Sequence, residues 1–351
     1  MKPNDERGGK MKINRETLLQ HLNAVKPGLA FKEVIEQSTY FVFMGGQVIT
    51  FNDEIAVHAP LADGFEVSGA VPAKELLAIL AKFSGDEVEL EAGDNELKLR
   101  CGKSKAGIKL SAEITLPVDE IKIPEAWMPL PKDFIDGLKA CMPSVARDLT
   151  YPILTTVHIT DDYAESTDNN KITRWDWGKG WEFGKEGLLL PIDAVTALVR
   201  FAPTDFEVDG GWAHFIDAND VVFSCRTSAG DYPDLTAHLD IEKIGELVFP
   251  AALAEMLDRA GVFLSGTTSG DNLVGVEITD KGLMTVRGEG DYGWYEESCR
   301  TKWLGSDGVK FSVHPAHLQA IFSVSKDAEI SVDRIKFTTA NFTHVVALEV
   351  K

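Results

Sequence analysis

Six short amphipathic helical segments recur along the chain at near-constant intervals, and this recurrence limits the fold more than any single residue does. They run from Arg15 to Gly28, Pro72 to Phe83, Pro131 to Arg147, Pro191 to Ala202, Pro250 to Leu264 and Pro315 to Lys326. In each, apolar residues three and four apart line one side, as with Leu18, Leu19, Leu22 and Val25 in the first or Leu253, Met256, Leu257 and Val262 in the fifth. Five of the six open on a proline, whose missing N–H costs nothing in a first helical turn. The odd-numbered segments begin 116 and 119 residues apart, and the even-numbered ones 119 and 124 apart. The chain therefore reads as three similar units, each made of two similar halves.

Between the helices the pattern changes to strict alternation. Glu87–Glu91 and Glu96–Arg100 flank a Gly93-Asp94-Asn95 turn; Asp205–Asp209 and His214–Ile216 flank Gly210-Gly211; Ala328–Val332 is followed by Arg334–Phe337. Each pair reads as an antiparallel hairpin with one buried face. The expected class is α+β: three tandem similar domains, each with two helices on one face of antiparallel sheets. The expected boundaries are an extension over 1–10, then domains over 11–125, 126–241 and 242–351. Three like domains in a row curve, which would line an arc with helices. Exposed strand edges at its ends would then pair with a second copy and close a ring under two-fold symmetry.

Composition removes several function classes. The chain carries a formal net charge of -20, which repels nucleic acid from most of its surface. No apolar run reaches membrane-spanning length, and the polar stretch before Met11 lacks the apolar core of a signal peptide, so a cytoplasmic location without membrane partners is expected. Cys101, Cys141, Cys225 and Cys299 form no CxxC pair and read as reduced, buried thiols. Neither a Ser/His/Asp constellation, a phosphate-binding GK[ST] loop nor an EF-hand spacing is present. His314 and His317 stand three apart without an acidic or cysteine third ligand, so no metal, cofactor or catalytic residue is assigned.

Four stretches carry a family resemblance. They are Met11–Leu19 at the start, Leu149–Val157 (LTYPILTTV), Ser166–Ile172 (STDNNKI) and Gly230–Leu235 (GDYPDL). In order and spacing they resemble the β subunit of bacterial replicative DNA polymerase, the DNA sliding clamp, over essentially all of Met11–Lys351. Tyr151, Thr156 and Asn169 stand where the family has arginine, glycine and glycine, and the Val345–Lys351 tail lacks its Met-Pro pair, as in a divergent member of the phage-encoded kind. The resemblance implies a non-enzymatic head-to-tail homodimer that encircles duplex DNA without reading its sequence. Its partners would be a replicative polymerase and a clamp loader.

The resemblance also implies three sets of site residues. Facing DNA would be Lys26, Lys74, Lys82, Lys132, Lys139, Arg147, Tyr151, Arg200, Arg259 and Lys326. The six helical segments hold ten Lys/Arg against seven Asp/Glu, a modest positive bias inside an acidic chain; ordinary solvent faces of amphipathic helices would look the same. A groove for a short extended partner peptide would use Leu154, Thr167, Asn170, Lys171, Ile172, Val345 and Ala347. Leu154, Ile172 and Val345 read equally as core strand residues. The dimer contact would set Ile108 and Leu110 against Val262 and Phe263, although Ile108 and Leu110 also fit a purely internal role. The aromatic run Arg174–Phe183 suits a packed hairpin, or else stacking on bases or sugars. With the abundant carboxylates, it supports the rival reading of an acidic carbohydrate-binding or glycoside-processing protein. That reading gives no reason for the repeat.

Overall fold

The computed structural model describes residues 10–349 apart from 63, 179–180, 182–186, 265–271, 320 and 323. The chain forms two compact units, Met1–Leu130 with Asp193–Thr227, and Pro131–Ile192 with Ser228–Lys351. The middle third of the sequence is thus divided between them. Every strand pairing among the described residues is antiparallel, in keeping with the hairpin alternation of the sequence.

In the first unit a four-stranded sheet runs in the order Lys10–Asn14, Glu87–Ala92, Glu96–Cys101, Ser104–Lys109. An eight-stranded sheet joins Ile55–Pro60 to Val222–Arg226, with His58 opposite Val222. In the second unit a nine-stranded sheet joins Lys171–Asp176 to Phe342–Ala347, with Ile172 opposite Val345. The last sheet has four strands, in the order Gly293–Arg300, Leu283–Gly290, Val274–Ile278, Val309–Val313. The halves of the middle third therefore have no sheet of their own; each extends the sheet of a neighbouring third.

Seven α-helices occur among the described residues: α1 (Arg15–Ala24), α2 (Ala73–Lys82), α3 (Phe134–Cys141), α4 (Ile192–Phe201), α5 (Thr236–Leu239), α6 (Leu253–Gly261) and α7 (Pro315–Gln319). Six correspond to the periodic segments. Asn14 caps α1, its side chain accepting from Thr17 N at 3.0 Å. Leu18 and Leu22 of α1 and Leu76 and Leu80 of α2 are buried; α6 buries Met256 and Leu257 in the core of the second unit. Four helices, α1, α3, α6 and α7, are shorter than their periodicity predicts. α1 and α3 give way to 3-10 turns at Lys26–Gly28 and Met142–Ser144, where Pro27 and Pro143 cannot donate to a continuing helix. After α7 the chain tightens into i→i+3 bonds at Ile321 and Val324. Lys26, Lys132, Arg147 and Lys326 lie outside the α-helices they were assigned to, Lys26 in the first of these 3-10 turns.

Gln37 fastens the segment that leaves the first four-stranded sheet. It is 5% exposed, and its backbone has φ +64°. Its Nε2 donates to Glu113 O at 2.8 Å, while Oε1 accepts from Thr115 N at 3.0 Å and Leu116 N at 3.4 Å. Gln37→Ala leaves those backbone groups unsatisfied, and each costs about 1–3 kcal/mol when buried. A loss on the order of 2–4 kcal/mol in urea unfolding is expected, with faster amide exchange at Thr115 and Leu116. A change under about 0.5 kcal/mol would mean the amide is dispensable.

Candidate functional site

A cavity of about 430 Å³ opens on the second unit, above the nine-stranded sheet. One wall is the turn between Tyr163–Thr167 and Lys171–Asp176. Asp168 organises it: Oδ1 accepts from Asn170 N and Lys171 N at 3.0 Å each, and Oδ2 pairs with Lys171 Nζ at 2.7 Å. Thr167 Oγ1 donates to Lys171 O at 2.8 Å and accepts from Asn169 N at 3.1 Å. Asn169 has φ +71°, which asparagine tolerates better than most residues; this accounts for its standing where the family pattern has glycine. The floor is Ile172, Val345, Ala347 and Leu348, and the opposite wall is Pro233, Asp234, Leu235 and His238.

Six of the seven residues expected in a peptide groove line this cavity: Thr167, Asn170, Lys171, Ile172, Val345 and Ala347. Leu154 does not. It is buried in the 3-10 turn Pro152–Thr155, where its carbonyl accepts from Ala146 N. The second wall was not assigned from sequence, although the Gly230–Leu235 motif supplies three of its four residues. A neighbouring hollow of about 320 Å³ shares Asn170, Ala347 and Leu348, and His314 and His317 face it with ring centroids 5.2 Å apart. Burial, then the nearby Lys171 charge, pushes His317 down to about 4. No group of three or more metal-ligating side chains occurs among the described residues.

No protein-family model matches the sequence, and no curated protein is detectably similar to it. Solved structures do match in fold. The β chain of DNA polymerase III from Streptococcus pneumoniae superposes with TM-score 0.85 at 17% identity, covering 97% of this chain and 100% of that one. The DNA polymerase β subunit of Streptococcus pyogenes gives 0.84 at 18% identity, over 98% and 100%. A sliding clamp from Pseudomonas aeruginosa, bound to griselimycin, gives 0.82 at 13% identity, over 98% and 100%. The fold is that of a bacterial DNA sliding clamp.

Within this clamp fold the basic residues fall into different surroundings. Lys26, Lys74, Lys82, Lys132, Lys139, Arg147, Arg200 and Lys326 are exposed, as is Tyr151. Lys26 and Arg200 share a cleft of about 720 Å³ in the first unit, with Glu54, Asp193 and Asp217 on its walls. Arg259 differs from the others. Its guanidinium contacts Glu297 at 2.7 Å, Tyr295 Oη at 2.7 Å and Glu255 at 3.3 Å, so its charge is already matched within the chain.

The dimer residues also divide. Ile108 and Leu110 are 8% and 3% exposed and pack into their own unit, whereas Val262 is 67% exposed and Phe263 partly so. Ser104–Lys109 is an edge strand carrying Lys105 and Lys109; Gly293–Arg300 is an edge strand whose Trp294 and Glu296 point away from its buried side. The aromatic run is packed internally: Trp177 stacks on Phe134 at 5.6 Å and Trp175 Nε1 donates to Asp133 at 2.9 Å. Of that run, 179, 180, 182 and 183 lie outside the described residues. All four cysteines are free thiols, three of them buried. No helix among the described residues is long and apolar enough to cross a membrane.

Proposed function

We propose that this protein is a DNA sliding clamp: a homodimeric ring, closed head to tail, that encircles duplex DNA and tethers a replicative polymerase after assembly by a clamp loader. The observation that carries the reading is the end-to-end likeness in fold to bacterial clamps, over 97–98% of this chain and the whole of theirs. On this reading the three domains are 11–125, 126–241 and 242–351, and the protein performs no chemistry of its own. A linked ring cannot diffuse away, so a net charge of -20 is compatible with DNA. Few, weak phosphate contacts hold the duplex without arresting it. The exposed basic residues supply them, with Arg259 excepted.

The two edge strands suit the dimer. Lys105 and Lys109 on one copy meet Glu296, which also pairs with Arg287 of its own chain at 3.2 Å, across a sheet continued into the next, and Val262 and Phe263 lose their exposure there. The cavity between the Thr167–Ile172 turn and Pro233–His238 takes a short extended peptide from polymerase or loader. The carbohydrate alternative loses its main support because Trp175 and Trp177 are engaged with α3 and the turn before it.

The deciding experiment compares retention on circular and linear duplex DNA in the presence of a clamp loader. The protein should elute at twice 38.5 kDa, stay on circles after a salt wash and run off linear molecules. Equal loss from both would rule out a topological link.

A further inference from the structure

Glu165 is 1% exposed, and a buried carboxylate is costly unless it is paired and hydrogen-bonded. His158, Glu165 and Arg174 stand opposite one another on three adjacent strands and so share one face of the nine-stranded sheet. Arg174 donates Nε at 3.1 Å and Nη2 at 2.7 Å to Glu165 Oε2, while His158 Nδ1 lies 2.9 Å from Oε1. None of the three lines the partner cavity.

The segment carrying the cavity's second wall is anchored on this triad. The Tyr232 ring stacks on His158 with centroids 4.8 Å apart and planes 27° from parallel. Arg174 Nη2 reaches Thr236 Oγ1 at 3.4 Å, and the Tyr163 ring supports the guanidinium at 4.0 Å. The Tyr232 hydroxyl also accepts the N–H of Thr167 at 3.1 Å. Thr167 belongs to one wall and Pro233, next to Tyr232, to the other. One side chain thus spans both walls from behind, and Glu165 holds the two groups on which it and its neighbours rest. A buried ion pair is weak evidence for net stability compared with apolar replacements, and a role in fixing geometry accounts better for its presence here.

We propose that Tyr232 and Glu165 are positioning residues that set the separation of the cavity walls, and so tune partner affinity without touching the partner. The proposal rests on the cavity being the partner site. Its test uses a fluorescein-labelled hexapeptide selected from a random library on the wild-type protein and rejected by an Ala347→Trp variant. Tyr232→Phe removes only the hydroxyl. It should weaken hexapeptide binding about tenfold and speed amide exchange at Thr167 by about the same factor, with native mass unchanged and the thermal midpoint within about 2 °C of wild type. Glu165→Gln should weaken binding at least as much; if it does not fold, Tyr232→Phe decides alone. Affinity within about twofold of wild type in Tyr232→Phe, or a fall in affinity matched by a collapse of the midpoint, overturns the proposal. If wild type yields no binding hexapeptide, the partner-site reading fails. The exchange measurement on the free protein then decides the positioning alone, and unchanged exchange at Thr167 overturns it.

Discussion

Lowering the pH from 6.5 to 4 will remove much of the folding free energy of this protein. Three histidines are nearly sealed from solvent: His58 at 6%, His214 at 1% and His344 at 1% exposure. His58 and His214 share one face of the eight-stranded sheet, since His58 opposes Val222 and His214 opposes Ser224. His214 Nδ1 is bonded to Ser224 Oγ at 2.8 Å, but His58 Nε2 has no partner. His344 Nδ1 is bonded to Thr173 Oγ1 at 2.8 Å, while its Nε2 has none and its ring lies parallel to Phe342. Burial, then the neighbouring His214, pushes His58 down to about 4; burial does the same to His214, opposed by Asp209. Burial, then Lys171 and His317, pushes His344 down to about 3.

The folded form refuses protons that the unfolded chain accepts from 6.5 downward. These groups therefore leave stability intact above pH 6.5 and erode it as the pH falls, until each protonates in the fold near 4 or below. At about 1.4 kcal/mol per unit, each contributes on the order of 2–4 kcal/mol across that window. His58 and His214 act on the first unit and His344 on the second, and each effect is a sizeable share of the roughly 5–15 kcal/mol that separates folded from unfolded domains. Urea titrations followed by tryptophan fluorescence from about pH 7.5 to about 4.5 should show the midpoint falling steeply below about 6.5. His58→Leu should lower the pH at which that fall is half complete. Stability that stays flat down to about pH 5 would show that these imidazoles protonate freely in the fold.

None of those histidines was legible as buried in the sequence, and the reason is general. Period-2 alternation reveals that a strand has two faces, but not whether the second face is covered. Strand Ile55–Pro60 is buried on both faces along nearly its whole length, so His58 is enclosed although its sequence neighbours give no sign of it. The helices and hairpins were legible because their signals are local. The three-residue and four-residue spacing of Leu18 and Leu22, or the Gly-Gly turn after Asp209, needs no distant partner. The sheet junctions were not: Thr173 bonds to His344 across 171 residues of sequence. The same limit divides the candidate site. Thr167–Ile172 could be picked out as a polar and apolar turn and Pro233–Leu235 as part of a motif, but nothing local shows that the two face one cavity, which depends on Tyr232 bonding to Thr167 and stacking on His158. Glu165 and Arg174 look like solvent-facing residues of an alternating strand until the segment above them is in place.

Filling the cavity from its floor should abolish partner binding while leaving the fold intact, and Ala347 is the residue for it. It is exposed at the end of strand Phe342–Ala347, opposite Arg334, and borders both the 430 Å³ cavity and the 320 Å³ hollow beside it. Its backbone N–H is bonded to Asn170 O at 2.8 Å, an interaction any residue but proline keeps. Val345 on the same floor would be a poorer choice, because at 3% exposure a larger side chain there would disturb the core. An indole at 347 occupies space where a partner's apolar anchor must sit, and strands accept tryptophan well. Loss of one well-packed anchor commonly costs at least 2 kcal/mol of binding, and denying the whole pocket costs more. Ala347→Trp should therefore bind polymerase at least about 100-fold more weakly than wild type in a pull-down titration. Its native mass should match wild type, with unfolding free energy within about 0.5 kcal/mol. Polymerase binding unchanged by the indole would place the partner surface elsewhere on the molecule, even if the protein still slid on DNA.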